Sequence, residues 1–177
     1  MITATCINLP GGTGDGFASR AALPLAMLPP TPDKIVLFDS LCNLCNGWSR
    51  LILKYDREQH FTLCRAQSAA GQYLLRQLGM PLYNYETMIL LERENSSFRQ
   101  YHKSDAALRI TASLKGYWRF LALLRYIPRP IRDLVYDLVA RNRYRWFGRR
   151  NHCLLPNTAD EHRFLEEVSE ENPNEPV

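Results

Sequence analysis

Two cysteines three residues apart, Cys42 and Cys45, are the residues of this chain best suited to chemistry. They follow an apolar run that ends in Asp39, and a helical pattern begins directly after the first of them. The unpaired N–H groups and the partial positive charge of a helix N-terminus stabilise a thiolate, which is the reactive form of cysteine. The spacing also brings both sulfurs within bridging distance on one helix face. The pattern therefore predicts a redox dithiol.

In this hypothesis Cys42 is the nucleophile, and we expect it to be the more exposed thiol of the pair. It attacks a substrate disulfide, and Cys45 then resolves the mixed disulfide. This cycle needs no organic cofactor, because the two thiols carry the electrons. Asp39 lies at the end of the preceding strand, where it would accept the proton of Cys45 during exchange. The alternative role for Asp39 is that of a turn or capping acid.

Two further cysteines, Cys64 and Cys153, are candidates for accessory thiols, and a structural role is favoured for each. With Cys42, Cys45 and the adjacent His152 they could supply zinc ligands. A non-catalytic zinc- or copper-binding or adaptor module is therefore the alternative function. Structural zinc sites combine two close-spaced pairs, whereas this chain has one, so we predict no metal.

The net charge of +4 conceals an uneven distribution. Residues 103–150 contain twelve Lys or Arg and three Asp or Glu, whereas residues 151–177 contain one and seven. Five basic residues interleaved with aromatic ones are candidates for contact with a partner or an anion: Arg141, Arg143, Arg145, Arg149 and Arg150. The favoured interpretation is that they cover the core and pair with the acidic tail. A contact with a membrane or a membrane protein is the alternative, and nucleic acid is disfavoured.

Hydrophobic periodicity predicts the elements that position the dithiol. Strands are expected at 34–38, 61–64, 87–91 and 98–102, with a hairpin turn over 92–97. Helices are expected from Asn43 to about Tyr55, from a cap at Ser68 to about Leu78, and from a cap at Ser104 or Asp105 to about Leu114. The resulting order, β-α-β-α-β-β-α over residues 34–116, is that of an α/β protein with a thioredoxin-like core.

A helical extension packed on that core is predicted for residues 117–168. It starts with the very apolar stretch 117–127 and continues in a helix that begins at Pro130. One face of this helix carries five apolar side chains: Ile131, Leu134, Val135, Leu138 and Val139. A short helix is expected near residues 158–168.

The two ends of the chain are predicted to lie outside the fold. Residues 1–33 are rich in Gly, Pro and Thr, which indicates a disordered leader. Native translation from Met27 is one hypothesis, in which residues 1–26 are extra. Residues 169–177 form an acidic tail. An odd, low number of cysteines and the lack of a signal-peptide pattern or a long uncharged apolar run favour a cytoplasmic location.

The sequence around the dithiol resembles the DCC family, which is named for its Asp-x-x-Cys-x-x-Cys motif. The similarity covers about residues 34–156, through the stretches 38–46, 67–68, 106–109, 130–136 and 140–148. The resemblance implies a thioredoxin-like fold and a dithiol activity toward a protein or low-molecular-weight disulfide that remains to be identified. Ser40 stands where the family commonly has glycine, and Cys64 where a small residue is usual. Glu86 stands before the third strand where thioredoxins have a cis-proline, so substrate docking is expected to differ.

Overall fold

A computed structural model describes residues 32–82, 87–94, 97–150 and 159–167. The expectations for the leader, for Met27, for Cys153 with its neighbour His152 and for the acidic tail lie outside these residues. No peptide bond among the described residues is cis.

The fold is mixed α/β and thioredoxin-like. A four-stranded sheet consists of β1 (Lys34–Phe38), β2 (Phe61–Arg65), β3 (Ile89–Glu94) and β4 (Ser97–His102), in the order β2-β1-β3-β4. Strand β1 is parallel to β2 and antiparallel to β3, and β3 is antiparallel to β4. The predicted order of elements over residues 34–116 is confirmed, and the dithiol follows a central strand that neighbouring strands cover on both edges.

Helices cover both sides of the sheet. Helix α2 (Ala69–Gln77) packs on one side, whereas α1 (Asn43–Tyr55) and α3 (Lys103–Ser113) pack on the other. Because side chains alternate along a strand, Ile35 and Leu37 face α2 while Val36 and Phe38 face α1 and α3. Strand β1 is thus apolar from Ile35 to Phe38, since both of its faces are buried there.

Helix α2 has the cap that the sequence predicts. The Ser68 hydroxyl accepts a hydrogen bond from the Gly71 N–H at 3.0 Å. Gly71 also lies where the helix meets the end of β2. A Cβ at this position would overlap the carbonyl oxygen of Arg65 and stand 2.9 Å from the Cα of Ala66. Only glycine allows this close packing.

Two predicted boundaries are wrong, for local reasons. The third strand starts two residues later than predicted because Thr87 and Met88 bond outside the sheet. The Thr87 hydroxyl accepts from the Lys103 N–H, and the Met88 N–H donates to the Tyr136 hydroxyl. The hairpin is also tighter than predicted, since β3 continues to Glu94 and pairs there with Ser97.

Helix α3 begins at Lys103, without a side-chain cap from the predicted Ser104 or Asp105. The Ser104 hydroxyl donates to Asp133, and Asp105 pairs with Arg132. Both side chains therefore bind residues of the long helix over 129–147, and neither caps α3.

The apolar stretch after α3 forms a 3₁₀ helix over Tyr117–Tyr126, and α4 spans Arg129–Phe147. Helix α4 contacts α1 and α3, and its inward side carries Tyr136, Ala140 and Arg143, which recur at helical spacing. The face predicted from Ile131, Leu134, Val135 and Leu138 is instead exposed to solvent. Among the described residues, none of the helices is both long and apolar enough to cross a membrane.

The predicted helix over 158–168 is a single 3₁₀ turn, Glu161–Arg163, followed by an extended stretch. The Leu165 N–H donates to the Leu63 carbonyl at 2.8 Å, so the end of the described chain joins the outer edge of β2. Arg163 is buried and its Nη2 lies 2.5 Å from Asp56 Oδ2. These contacts tie the last described residues to the sheet. The division into a core at 34–116 and an extension stays a prediction.

Candidate active site

Cys42 and Cys45 lie at the start of α1, as the spacing predicts. Cys42 is the N-cap residue and Cys45 lies in the first turn. Both thiols are free, so the pair is described in its reduced form. Cys42 is completely buried, whereas Cys45 is partly exposed. This order of exposure is the reverse of the predicted one.

The pKa values of the two thiols are shifted in opposite directions. The Cys45 thiol donates to Cys42 and lowers the pKa of Cys42 to about 6, with further help from the backbone N–H groups of Cys45 and Leu44 and the charge of Arg143. Burial opposes this shift without cancelling it. The same hydrogen bond, burial and the charges of Cys42 and Asp39 raise the pKa of Cys45. Cys42 is therefore a thiolate at neutral pH while Cys45 keeps its proton.

Asp39 is buried directly after β1 and is surrounded by four donors. Gln67 Nε2 and the Leu41 N–H donate to Oδ1 at 2.6 and 3.0 Å. The Tyr144 hydroxyl and Arg143 Nη2 donate to Oδ2, the latter at 3.4 Å. An ionised carboxylate can accept all four bonds, so these contacts fit a carboxylate at Asp39 beside the dithiol.

Ser40 fits the turn in spite of its side chain, because its hydroxyl has a partner. The Ser40 hydroxyl and N–H both donate to Gln67 Oε1, at 2.9 and 3.1 Å. Asn46 Nδ2 donates to the Ser40 carbonyl at 2.9 Å. Gln67 thus joins the turn to Asp39, and both ends of its amide are used.

The residues that follow α4 lie against the dithiol. Gly148 ends the helix with a φ of 82°, and residues 148–150 run antiparallel to 41–43, with Cys42 opposite Arg149. The Arg150 N–H donates to the Leu41 carbonyl at 2.8 Å. The Asn43 side chain donates to the Phe147 carbonyl at 2.8 Å and accepts from Arg150 Nε at 2.7 Å. We name residues 148–150 the covering segment.

Cys64 is remote from this chemistry. It is buried in the cluster on the α2 side of the sheet, whereas Cys45 packs on the α1 side. Burial raises the pKa of Cys64 to about 12, so its thiol stays protonated. Within the described ranges, no three His, Cys, Asp or Glu side chains are grouped as a metal site requires.

The five predicted contact arginines have different environments. Arg141, Arg145, Arg149 and Arg150 are exposed, and Arg149 lies over the Tyr144 ring at 5.6 Å. Arg143 is buried and is paired with Asp39. It therefore belongs to the dithiol site and not to the exposed arginines that could meet a partner.

The sequence argument did not identify Gln67, Tyr144 or Tyr136 as parts of this region. Burial and the Asp39 hydrogen bond raise the pKa of Tyr144 to about 12, so its hydroxyl is a donor at neutral pH. Tyr136, Ala140 and Arg143 follow the i, i+4, i+7 spacing of a buried helix face. This spacing could therefore have indicated the inward face of α4. The prediction instead took the more apolar face on the opposite side of the helix as the buried one.

Comparisons of the sequence with known proteins identify a family for this chain. The sequence profile of the DCC1-like thiol-disulfide oxidoreductase family matches residues 36–149. The chain is 39% identical over 134 residues to the uncharacterized protein YuxK of Bacillus subtilis, which covers 76% of this chain and 95% of that protein. It is 37% identical over 122 residues to a chloroplastic DCC family protein of Arabidopsis thaliana, covering 68% of this chain and 69% of the relative. No solved structure shows a significant match.

The matched region runs from β1 to the covering segment, so it includes Asp39, both thiols of the pair and the α4 residues that contact Asp39. On the extent of this match and the two relatives, the chain belongs to the DCC1-like thiol-disulfide oxidoreductase family.

Proposed function

We propose that the chain is a thiol-disulfide oxidoreductase in which Cys42 is the nucleophile and Cys45 the resolving thiol. The observation that carries this proposal is the arrangement at the start of α1. Cys42 accepts a hydrogen bond from the Cys45 thiol and feels the charge of Arg143, and these effects lower its pKa to about 6. A thiolate is thus available at neutral pH without an external base.

The exchange consists of two displacement steps. The Cys42 thiolate attacks one sulfur of a substrate disulfide, which forms a mixed disulfide and releases the other sulfur as a thiolate that takes up a proton. Cys45 then loses its proton and attacks Cys42, which forms the Cys42–Cys45 disulfide and releases the second substrate thiol. The substrate gains two electrons and the pair loses two. The proposal requires no organic cofactor and no metal.

Asp39 is proposed to control when the Cys45 thiol loses its proton. Its negative charge contributes to the raised pKa of Cys45, which keeps the resolving thiol protonated until the mixed disulfide has formed. Arg143, Tyr144 and Gln67 hold the carboxylate in place. An acceptor for the proton is needed only in the second step, when Cys45 becomes the nucleophile.

Access to Cys42 requires movement of the covering segment, because Cys42 is completely buried beneath its neighbours. The backbone bonds between residues 148–150 and 41–43 are few, and Gly148 provides a joint at the end of α4. We propose that a substrate disulfide displaces this segment before exchange. The substrate is a protein or low-molecular-weight disulfide, and the proposed location is the cytoplasm.

The test is to trap the mixed disulfide. The Cys45→Ser variant is incubated with oxidised glutathione, and the expected product is a stable glutathione adduct on Cys42, located by mass spectrometry. The wild-type protein should instead form the Cys42–Cys45 disulfide and release two glutathione molecules. The Cys42→Ser variant is the matched control and should form no adduct at Cys45.

Two results would contradict the proposal. One is the absence of an adduct on Cys42 in the Cys45→Ser variant. The other is stoichiometric zinc or copper with protected thiols in protein purified without chelator, which would favour the metal-binding alternative.

A further inference from the structure

The 3₁₀ helix and the outer side of α4 expose a large set of apolar side chains. Those more than half exposed include Phe120, Leu123 and Tyr126 on the 3₁₀ helix and Ile131, Leu134, Val135 and Leu138 on α4. Single exposed apolar residues are common, whereas a grouped set marks an interaction site. On α4 these residues recur three and four positions apart and form one stripe along the helix. We name this α4 stripe, formed by Ile131, Leu134, Val135 and Leu138, the outer apolar face.

The charges around the outer apolar face are mostly positive. Residues 117–150 contain nine arginines, of which Arg143 is buried at the dithiol site, no lysine and two acids. The acids point inward, since Asp133 accepts from Ser104 and Asp137 pairs with Lys103. Arg141 and Arg145 continue the outer side of α4, three and seven residues after Leu138. The face is therefore apolar with a cationic margin.

An anionic lipid surface fits this combination best. The aliphatic side chains of the stripe can enter the boundary between headgroups and acyl chains, while arginine stems extend toward the phosphates. A second copy of the chain would bring an equal positive charge to the contact. A nucleic acid would meet the arginines but would leave the leucine side chains in water. Charge and apolar area together thus favour an anionic lipid surface over a second copy of the chain or a nucleic acid.

We propose that the outer apolar face docks this protein on the surface of an anionic lipid bilayer. Helix α4 then lies along the membrane, since it is too charged to cross it. The C-terminal end of the same helix leads into the covering segment beside Cys42. Docking would therefore hold the dithiol next to the membrane surface, which goes beyond the disulfide exchange proposed above and does not depend on it.

The experiment is co-sedimentation of the full chain with vesicles. One set contains phosphatidylcholine alone, and the other contains phosphatidylcholine with phosphatidylglycerol. We expect binding to the second set, little binding to the first, and weaker binding as salt is added.

Three variants separate the apolar and cationic contributions. The double variant Leu134→Ser and Leu138→Ser should weaken binding by at least about tenfold. The double variant Arg141→Gln and Arg145→Gln should weaken it by about fivefold for each arginine removed. The control is Arg76→Gln, an exposed arginine of α2 on the opposite side of the sheet, and it should leave binding unchanged.

The proposal is wrong if the full chain binds neither set of vesicles, or if Arg76→Gln weakens binding as much as removal of Arg141 or Arg145. It is also wrong if light scattering shows a dimer that the leucine substitutions dissociate while vesicles remain unbound. In that case the face is an interface between copies of the chain. We expect each variant to fold, because all the substituted side chains are exposed or partly exposed. Circular dichroism checks this.

Discussion

The two thiols of the Cys-x-x-Cys pair differ in acidity because of a few neighbouring residues. Cys42 is at the N-cap and receives hydrogen bonds, whereas Cys45 donates one and lies near the charge of Asp39. Arg143 contributes its charge from a helix more than a hundred residues later in the sequence. The acidity of Cys42 therefore depends on α4 as well as on the motif.

Removal of the Arg143 charge should raise the pKa of Cys42. In the wild-type protein the rate of alkylation of Cys42 should increase with pH through a midpoint near 6, because the thiolate fraction rises as pH passes the lowered pKa. Arg143→Met should move this midpoint to higher pH, and Arg143→Lys should largely restore it. The measurement is the initial rate of iodoacetamide labelling at Cys42, assigned by mass spectrometry. An identical midpoint in Arg143→Met would contradict the assigned role.

The role of Asp39 can be separated from its structural contacts. Asp39→Asn removes the charge and should slow the second exchange step by about a hundredfold, with a loss of about 3 kcal/mol in stability because the buried ion pair with Arg143 is broken. Tyr144→Phe removes one hydrogen bond but keeps the charge, and should cost about 1 kcal/mol with little change in rate. Stopped-flow thiol release and urea unfolding measure the two effects. An unchanged pH–rate profile in Asp39→Asn would exclude Asp39 from proton transfer.

At the scale of elements, two helical glycines should respond in opposite ways to substitution by alanine. Gly71→Ala should destabilise the fold by more than about 2 kcal/mol, since the new Cβ overlaps the backbone at the end of β2. Gly47→Ala, in the exposed middle of α1 with nothing within 4 Å, should stabilise it by about 0.5 to 1 kcal/mol. Thermal and urea unfolding measure both. Equal effects would show that α2 does not pack closely on β2.

The covering segment should limit the access of reagents to Cys42. Asn43→Ala removes both side-chain bonds to Phe147 and Arg150. It should increase the alkylation rate of Cys42 severalfold at pH 8, where the thiolate fraction is already complete. Asn142→Ala removes a comparable bond on α4, to the Leu138 carbonyl, and is the matched control. An equal rate in both variants would mean that the segment does not control access.

At the scale of the whole molecule, the end of the described chain stabilises the sheet through a buried ion pair. Asp56 accepts from Arg163 and from the N–H groups of His60 and Phe61. Arg163→Ala should cost about 3 to 5 kcal/mol, because the Asp56 charge is left buried without its partner. Arg99→Ala, which breaks an exposed pair with Glu94, should cost less than about 1 kcal/mol. Urea unfolding gives both values, and similar losses would contradict the anchoring role of Arg163.

The fold class and the position of the dithiol could be predicted because they depend on local patterns. The apolar run 34–38, the Ser68 cap and the Cys-x-x-Cys spacing each determine structure within a few residues. The Asp39 contacts with Arg143 and Tyr144 could not be predicted, since they join residues more than a hundred positions apart. The outer face of α4 was also misjudged, because its apolar side chains face solvent while Arg143 is buried opposite Asp39.

The burial of Cys42 has a consequence for the resistance of the protein to oxidation. A thiolate at neutral pH is the form that hydrogen peroxide attacks, and oxidation beyond the sulfenic acid is irreversible in most proteins. Burial of Cys42 hinders the approach of such oxidants, and Cys45 lies close enough to convert a sulfenic acid into a disulfide that reductants can reverse. If disulfide exchange proceeds as proposed, the burial that a substrate must overcome would also protect Cys42 from overoxidation.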